Sequence, residues 1–584
     1  MEDTNAKCTY PAETDSKPSG TPKSHARRKF LGTMGVAAGA ALAAPSVVAS
    51  PGAPTQGSGS IAPAALPSGV SAGSRIAEAF QIRVGLATQD ALAGPARNTT
   101  NGDEQLYPDK AGTYTKCLQH DAFGRVTPQS YASFKKALTT GKFSDFEKIV
   151  PGGTRTQNGP QGGLCFCLET PDGSQFGQPQ VPPAPTTASD QNATELLEHY
   201  WASLLRDVAF SDYGSNAIAA AAAAELGSQS SYFGPRDSHG HVTTNLLFRG
   251  GFPGETLGPY LSQFFITPTA FGAQPISQQL TTYLPNIDYG TNFSEWLDIQ
   301  NGVDTGLRNQ VDPQPRYAHN GRSLAAYTHV DVLYQAYFTA FLVLGTIGAP
   351  VNPGNPYINS RTQNGFGTFG GPDFAGIFGE VAVKALNTVW YQKWFVHLRP
   401  RPEAHAGLVH LIKTGQANKT DATFSNNILK SVGLQESFNK YGTWLLSQAF
   451  PEGSPAHPSY PTGHGTVGGA CITMLKFFFD GNFAIPDPVM PTSDGLSLVP
   501  YVGPDAGQLT VNGELNKLGH NVSFAHGIHA GIHWRSDTDT SLLLGEAIAL
   551  SLLREKAQTY NEPFTVHLTK FDGTTATITN QGNP

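Results

Sequence analysis

Residues 455–470 read P-A-H-P-S-Y-P-T-G-H-G-T-V-G-G-A and hold a dense set of chemically useful side chains. His457 and His464 stand on either side of the pair Thr462-Gly463. Pro458 and Pro461 fix local φ and bar a helix before the glycine. From Gly465 onward the residues are small and then apolar to Phe479, which predicts a buried helix packed closely against its neighbours. A rigid loop feeding such a helix gathers unpaired amides and the positive dipole end, and so predicts an oxyanion site. The Thr462 hydroxyl and the Gly463 N–H donate there, and His464 exchanges protons with the anion.

Two further segments supply what the loop lacks. In the first, a helical stretch ending W-Y-Q-K at Lys393 is followed by Arg399-Pro400-Arg401-Pro402-Glu403, which the prolines force into an extended course. Its cations suit a helix C-terminus as well as an anion. The second is H-G-I-H-A-G-I-H-W-R-S-D at residues 526–537. Asp537 follows His533 by four residues, a spacing that lets the carboxylate reach the far imidazole nitrogen and hold its tautomer. His526, His529 and His533 also fall at i, i+3 and i+7, which suits a divalent metal on one helical face. Lysine, arginine, hydroxyl, amide and two histidines around one tetrahedral oxyanion serve either phosphoryl transfer through a phosphohistidine or the holding of a phosphate-like metal oxyanion.

The elements that must position these groups are mostly helical. Leu196, Leu197, Tyr200, Trp201, Leu204, Leu205 and Val208 form a broad apolar stripe over 193–208. Further helices are expected at 128–138, 215–226, 294–300, 323–345, 374–393, 421–434, 437–450, 465–479 and 540–556. Only the C-terminus reads as β structure, with alternation over 564–570 and a turn at Asp572-Gly573. Residues 76 to about 191 read as irregular chain, 192–558 as the helical core with the site, and 559–584 as the hairpin.

The chain has 584 residues with 39% hydrophobic and 14% charged content, 64 Gly and 43 Pro, which fits a globular protein with long ordered loops. A net charge of −7 with no basic stripe gives no footing for nucleic acid. Arg27-Arg28-Lys29-Phe30-Leu31-Gly32, an Ala-rich run over 33–44 and small residues at Ala43 and Ala49 read as a bacterial twin-arginine export signal over 1–49. A Pro/Gly/Ser-rich linker follows over 50–75. No later run reaches the length of a membrane span. Cys8 would leave with the signal, Cys117 has Cys165 or Cys167 as a partner for a bridge, and Cys471 lies in the apolar helix.

The set K-x7-R-P, P-S-Y-P-T-G-H and H-x3-D resembles the signature shared by vanadium-dependent haloperoxidases and the related acid phosphatases. Flanking stretches resemble the bromoperoxidase branch: Y-W-A-S-L-L-R-D-V-A-F-S-D-Y at 200–213, F-S-E-W-L-D-I-Q-N-G at 293–302, F-G-T-F-G-G-P-D at 366–373 and K-F-D-G-T-T near the C-terminus. The likeness runs from about residue 75 to the end. It implies a mainly α fold of two helical bundles with long irregular loops, a homodimer or higher homo-oligomer, and one vanadate per chain. It also implies an enzyme that uses hydrogen peroxide to oxidise halide, bromide above all, to a hypobromite-like species that halogenates small organic acceptors. Lys393, Arg401, Thr462 and Gly463 match the oxygen donors, His464 the acid–base histidine and His533 the vanadium ligand. His457 and Trp390 match the positions linked to halide choice. An acid phosphatase on the same scaffold, or a degenerate homologue with weak oxyanion binding, are the other readings. Two positions depart from the pattern. Thr462 replaces serine, adding a methyl, and Gly527 stands where an arginine is expected. The missing arginine removes up to two charge-assisted hydrogen bonds, roughly 1.5–3 kcal/mol each, unless His526, His529 or Arg535 compensates.

Overall fold

The structure, a computed structural model, describes residues 65–66, 68–93, 98–165 and 181–581. The expected export signal, Cys8, Cys167 and most of the linker lie outside them. The described chain is mainly helical, and its β structure consists of small antiparallel hairpins. The C-terminal hairpin pairs Thr565–Thr569 with Thr575–Thr579, with Gly573 at φ +81 in the turn, as its alternation predicts. Two more hairpins, at 269–276 and 489–500, were not legible, because three-residue strands carry no alternation to read.

The core is built around a crossing of two helices, Gly463–Phe478 and Arg535–Ala557. Their backbones approach without side chains between them. A Cβ on Gly469 would stand 2.1 Å from Leu542 O, and one on Gly545 would stand 2.0 Å from Thr466 O. The small residues of the first helix therefore set the distance of the crossing, which fixes Thr462 at one helix start relative to Asp537 at the other. Helix Gly371–Tyr391 packs against the same crossing and carries Trp390.

Helix Asp190–Leu204 is capped by Ser189, whose hydroxyl accepts from Asn192 N at 3.1 Å. Of its expected apolar stripe, Leu196, Leu197, Tyr200 and Trp201 are inaccessible, but the helix ends at Leu204, short of the expected 208, and Leu204 and Val208 are only half-buried. It also buries Glu195 and Glu198, which serve the site described below.

Several boundaries differ from the sequence reading, each for a local reason. Residues expected to be irregular form helix Arg75–Ala93. The stretch expected as one helix over 323–345 is two, Gly321–Val330 and Gln335–Thr346, broken where Asp331 turns extended at ψ 154. The expected helices at 421–434 and 437–450 become Asn426–Leu429 and Val432–Tyr441. Ser431 caps the latter's start, and Gly442 at φ +71 ends it, leaving 442–450 without a helix. Helix Arg535–Ala557 begins five residues before the expected 540, because Asp537 accepts from Trp534 N at 3.1 Å and caps its first turn. Cys117 is a buried free thiol against Gly302 and makes no bridge to Cys165, and Cys471 is buried. No described helix is long and apolar enough to cross a membrane.

Candidate active site

Four chain segments converge on one buried pocket, and each arrives through a break in regular structure. Helix Gly371–Tyr391 passes into a π-helical turn, Gln392–His397, which carries Lys393 and ends at Leu398 in the left-handed region. Such a turn re-aims a side chain that a continuous α-helix would send elsewhere. Pro400 and Pro402 then hold Arg401 extended at φ −81, ψ 157, just before helix Pro402–Lys413. A second π-helical turn, Asn521–Ala525, leads into the short helix His526–Ala530. Gly531, at φ +85, ends that helix and releases His533 into an extended link. The three histidines of this segment therefore do not share one helical face, and no group of three His, Cys, Asp or Glu among the described residues forms a metal site. His529 turns away: its Nδ1 lies 3.2 Å from Ala202 O and its ring packs on Phe248.

His533 is the best-oriented group. Asp537 Oδ2 lies 3.0 Å from His533 Nδ1, as the spacing predicts. Arg401 Nη1 lies 2.8 Å from Nε2 of the same ring. Guanidinium only donates and carboxylate only accepts, so the proton sits on Nδ1 and the Nε2 lone pair faces the pocket. That oriented lone pair can bond a metal or attack phosphorus. Asp537 also accepts from Arg399 Nη1 (2.8 Å), Ser459 Oγ (2.5 Å) and Trp534 N. Glu195 in turn accepts from Arg399 Nη2 (3.3 Å) and from Ser536 Oγ (2.8 Å).

The cations sit close by. Lys393 Nζ donates to Pro458 O (2.8 Å) and Ser459 O (2.7 Å). Arg401 donates to His457 O (3.0 Å) and Ile532 O (2.8 Å), and its Nη2 stands 3.0 Å from the His457 ring at Nδ1. Both are fully buried, and among the described residues neither contacts a carboxylate. Burial first, and then the Arg401 charge, holds Lys393 well below the usual lysine range. Burial likewise brings Arg401 down to about 10. His457 and His533 are both held well below the ordinary histidine value, by burial and then by the Arg401 and Lys393 charges. A pocket of stranded positive charge favours any anion that enters it.

Thr462 is the residue before helix Gly463–Phe478, and its hydroxyl makes no cap bond. Thr462 Oγ1 instead stands 3.4 Å from His533 Nε2. The extra methyl does not crowd the pocket, because it lies over Gly465, where a Cβ would stand 2.7 Å from Thr462 Cγ2. The amides of Gly463 and His464 open the helix, where no intrahelical acceptor exists for them. His464 Nε2 bonds Asp331 Oδ1 at 3.1 Å, so the break between the two helices delivers a carboxylate to this histidine. Trp390 forms a wall, its ring 4.8 Å from that of His457 and its Nε1 donating to Asn158 O. Gly527 and Arg535 complete the inventory. Arg535 is spent on Glu198 and Arg249 O, away from the pocket.

All nine expected site residues thus gather in one place. Sequence reasoning missed Ser459, Asp331 and Glu195, and it read Arg399 only as part of a basic cluster. Ser459 lay inside the opening motif. The two acids are more than 130 residues from their partners, with no spacing to betray them.

A family profile described as the VCPO second helical-bundle domain matches residues 381–562. The chain is 34% identical to a vanadium-dependent bromoperoxidase of Ascophyllum nodosum over 525 residues, 85% of this chain and 91% of that protein. It is 32% identical to the vanadium-dependent bromoperoxidase of Corallina officinalis over 596 residues, 86% of this chain and 98% of that one. The homohexameric structure of the second vanadate-dependent bromoperoxidase of Ascophyllum nodosum matches with a TM-score of 0.81 and 28% identity, covering 90% of this chain and 95% of that one. With these similarities together, the chain belongs to the vanadium-dependent bromoperoxidase family.

Proposed function

We propose that this protein binds one vanadate per chain and uses hydrogen peroxide to oxidise bromide, releasing a hypobromite-like oxidant that halogenates small organic acceptors. The observation that carries this reading is the pair of buried cations, Lys393 and Arg401, beside an Nε2 lone pair fixed by Asp537. A tetrahedral oxyanion fits that set: two cations, the non-capping hydroxyl of Thr462, helix-start amides at Gly463 and His464, and one imidazole nitrogen. Lys393, Arg401, Thr462 and Gly463 would hold its oxygens, and His533 Nε2 would bond the metal. When bound, vanadate supplies Lewis-acid activation of peroxide without a change of oxidation state.

The chain's own contribution is charge and proton handling. Arg401 now donates to His533 Nε2 and must swing its Nη1 onto the anion, which keeps the lone pair available and the charge close. Lys393 donates to the Pro458 and Ser459 carbonyls and contacts no carboxylate among the described residues, so an entering anion would supply its counter-charge. His464 is the acid–base group: helix Gly463–Phe478 holds it, and Asp331 orients its ring through Nε2. Trp390 and His457 form the face that meets the halide. The homohexameric neighbour supports a homo-oligomer for this chain too. The arginine pair and apolar run at 27–44 support export by the twin-arginine route.

The test is direct. Purified protein loaded with orthovanadate is expected to brominate a phenol dye with hydrogen peroxide and bromide. No bromination under saturating vanadate, with vanadate-inhibited hydrolysis of a phosphate ester in its place, would assign the pocket to phosphoryl transfer through His533.

A further inference from the structure

We propose that His526 is a donor to the bound oxyanion, on the side of the pocket that Gly527 leaves without a side chain. The inference rests on the oxyanion reading above and adds a residue to it.

The position comes first. The His526 ring is 5.0 Å from that of His464 and 6.5 Å from that of His533, centroid to centroid. It therefore lies beside both the acid–base histidine and the histidine with the exposed lone pair. It is 2% exposed, yet its Nδ1 is buried without a hydrogen bond of normal geometry. The Val522 carbonyl one turn back is near enough only to favour the protonated ring, while burial and the His464 charge oppose it. A buried imidazole with so little protein bonding is expensive unless something in the pocket uses it. His529, one turn on, differs: a carbonyl and two phenylalanine rings hold it in the core.

Gly527 explains why the donor comes from residue 526. A Cβ at Gly527 would stand 2.8 Å from His533 Cβ and 3.7 Å from its Cγ. The short helix is pressed against His533 so closely that a side chain at 527 has no room unless His533 moves. The preceding π-helical turn, Asn521–Ala525, sets the rotation of this helix and presents residue 526 to the pocket. Arg535 is no competitor, since it is bound by Glu198 and Arg249 O. The anion thus meets the His526 imidazole here, and its charge favours the ring form that turns an N–H toward it.

The test measures binding and not turnover. Vanadate affinity of the full-length protein is measured by equilibrium dialysis against orthovanadate, for wild type, His526→Phe and His526→Gln. The Phe variant keeps a ring and loses both nitrogens, and its Kd is expected to rise roughly tenfold or more, the size of one hydrogen bond to a charged group. The Gln variant keeps an N–H and is expected to stay within about threefold of wild type. If the Phe variant does not fold, His526→Asn, whose amide stops short of the ring's outer nitrogen, is read in its place. A Phe or Asn variant that binds as wild type overturns the inference, and so does an equal loss in the Gln variant, which marks a packing role. Wild type that binds no vanadate overturns the oxyanion reading and this inference with it, an outcome distinct from tight binding that ignores residue 526.

Discussion

Replacing Asp537 by Asn changes the charge of one buried residue and almost nothing of its shape. Every polar contact on its carboxylate comes from a donor: Arg399 Nη1 and, on the other oxygen, Ser459 Oγ, His533 Nδ1 and Trp534 N. Whichever way the new amide turns, its NH2 faces a donor. Turned toward Arg399, it breaks a buried ion pair that measures 2.8 Å. Removing one partner of such a pair costs about 3–5 kcal/mol. Turned toward His533, it leaves the Nδ1 proton without an acceptor, and the ring gains by moving its proton to Nε2, the atom the metal needs. Loss of a group that orients a metal-bound histidine lowers metal affinity about 10- to 100-fold. Asp537→Asn is therefore expected to raise the vanadate Kd by that factor in equilibrium dialysis, and to shorten the half-life at elevated temperature. A variant that binds vanadate within about threefold of wild type would refute the claim that Asp537 sets the His533 tautomer.

Other changes test other parts of the same pocket. Lys393→Met is expected to weaken vanadate and inorganic phosphate together by about 10- to 100-fold, since it deletes one charged donor; dialysis with either anion reads it. Gly527→Ala places a methyl 2.8 Å from His533 Cβ, so vanadate affinity is expected to fall and not rise; an unchanged Kd would mean that the short helix yields freely. Trp390→Phe alters the wall beside His457 while keeping an aromatic face toward Lys393 Nζ, so the ratio of bromide to iodide turnover is expected to change more than the vanadate Kd. Beyond the pocket residues, burial raises the Asp288 carboxyl, but Arg206 and Arg322 outweigh it and hold it at about 2. A depressed carboxylate contributes stability above its unfolded value near 4 and loses it as pH falls toward 2, about 2 kcal/mol in all. Asp288→Asn is expected to destabilise the protein at neutral pH and to flatten its stability profile between pH 4 and 2, followed by unfolding in urea.

Much of the site was legible because its residues belong to short contiguous motifs. The prolines around Thr462, the Gly run after it and the four-residue step from His533 to Asp537 each have a local physical meaning that survives folding. What could not be read is set by tertiary geometry. Asp331 falls in a stretch whose apolar periodicity runs on past it, so the sequence favours one helix where the chain makes two. Lys393 lies in a π-helical turn that α periodicity does not distinguish from the end of helix Gly371–Tyr391. Helix Pro402–Lys413 went unread because it follows the basic cluster directly, and Val511–His520 because its helical step of Val511, Leu515 and Leu518 is short and set among polar residues and glycines that the fold nevertheless buries. His526 looked equivalent to His529 by spacing; only the short helix ending at Gly531 separates one that faces the pocket from one that faces the core.

The pocket also explains why so much buried charge surrounds it. Lys393, Arg401 and the three buried histidines His457, His526 and His533 oppose folding, since each is held toward its neutral form or carries an unmatched charge. Relaxation would let these side chains withdraw from one another and lose the geometry an oxyanion requires. The neighbouring network resists this. Arg399 spans Asp537 and Glu195, Lys116 donates to Glu403 at 2.5 Å and to Ser454 O at 2.6 Å, and Arg535 is clamped by Glu198. Each pair joins a site segment to a helix or loop distant in sequence, so that moving one donor breaks a buried ion pair elsewhere. The acids of that network stop short of the pocket itself: none contacts Lys393 or Arg401, and the two cations stay open to an anion while their backbones are pinned. An added carboxylate within reach of Lys393 would steady the empty protein and compete with the anion it exists to hold.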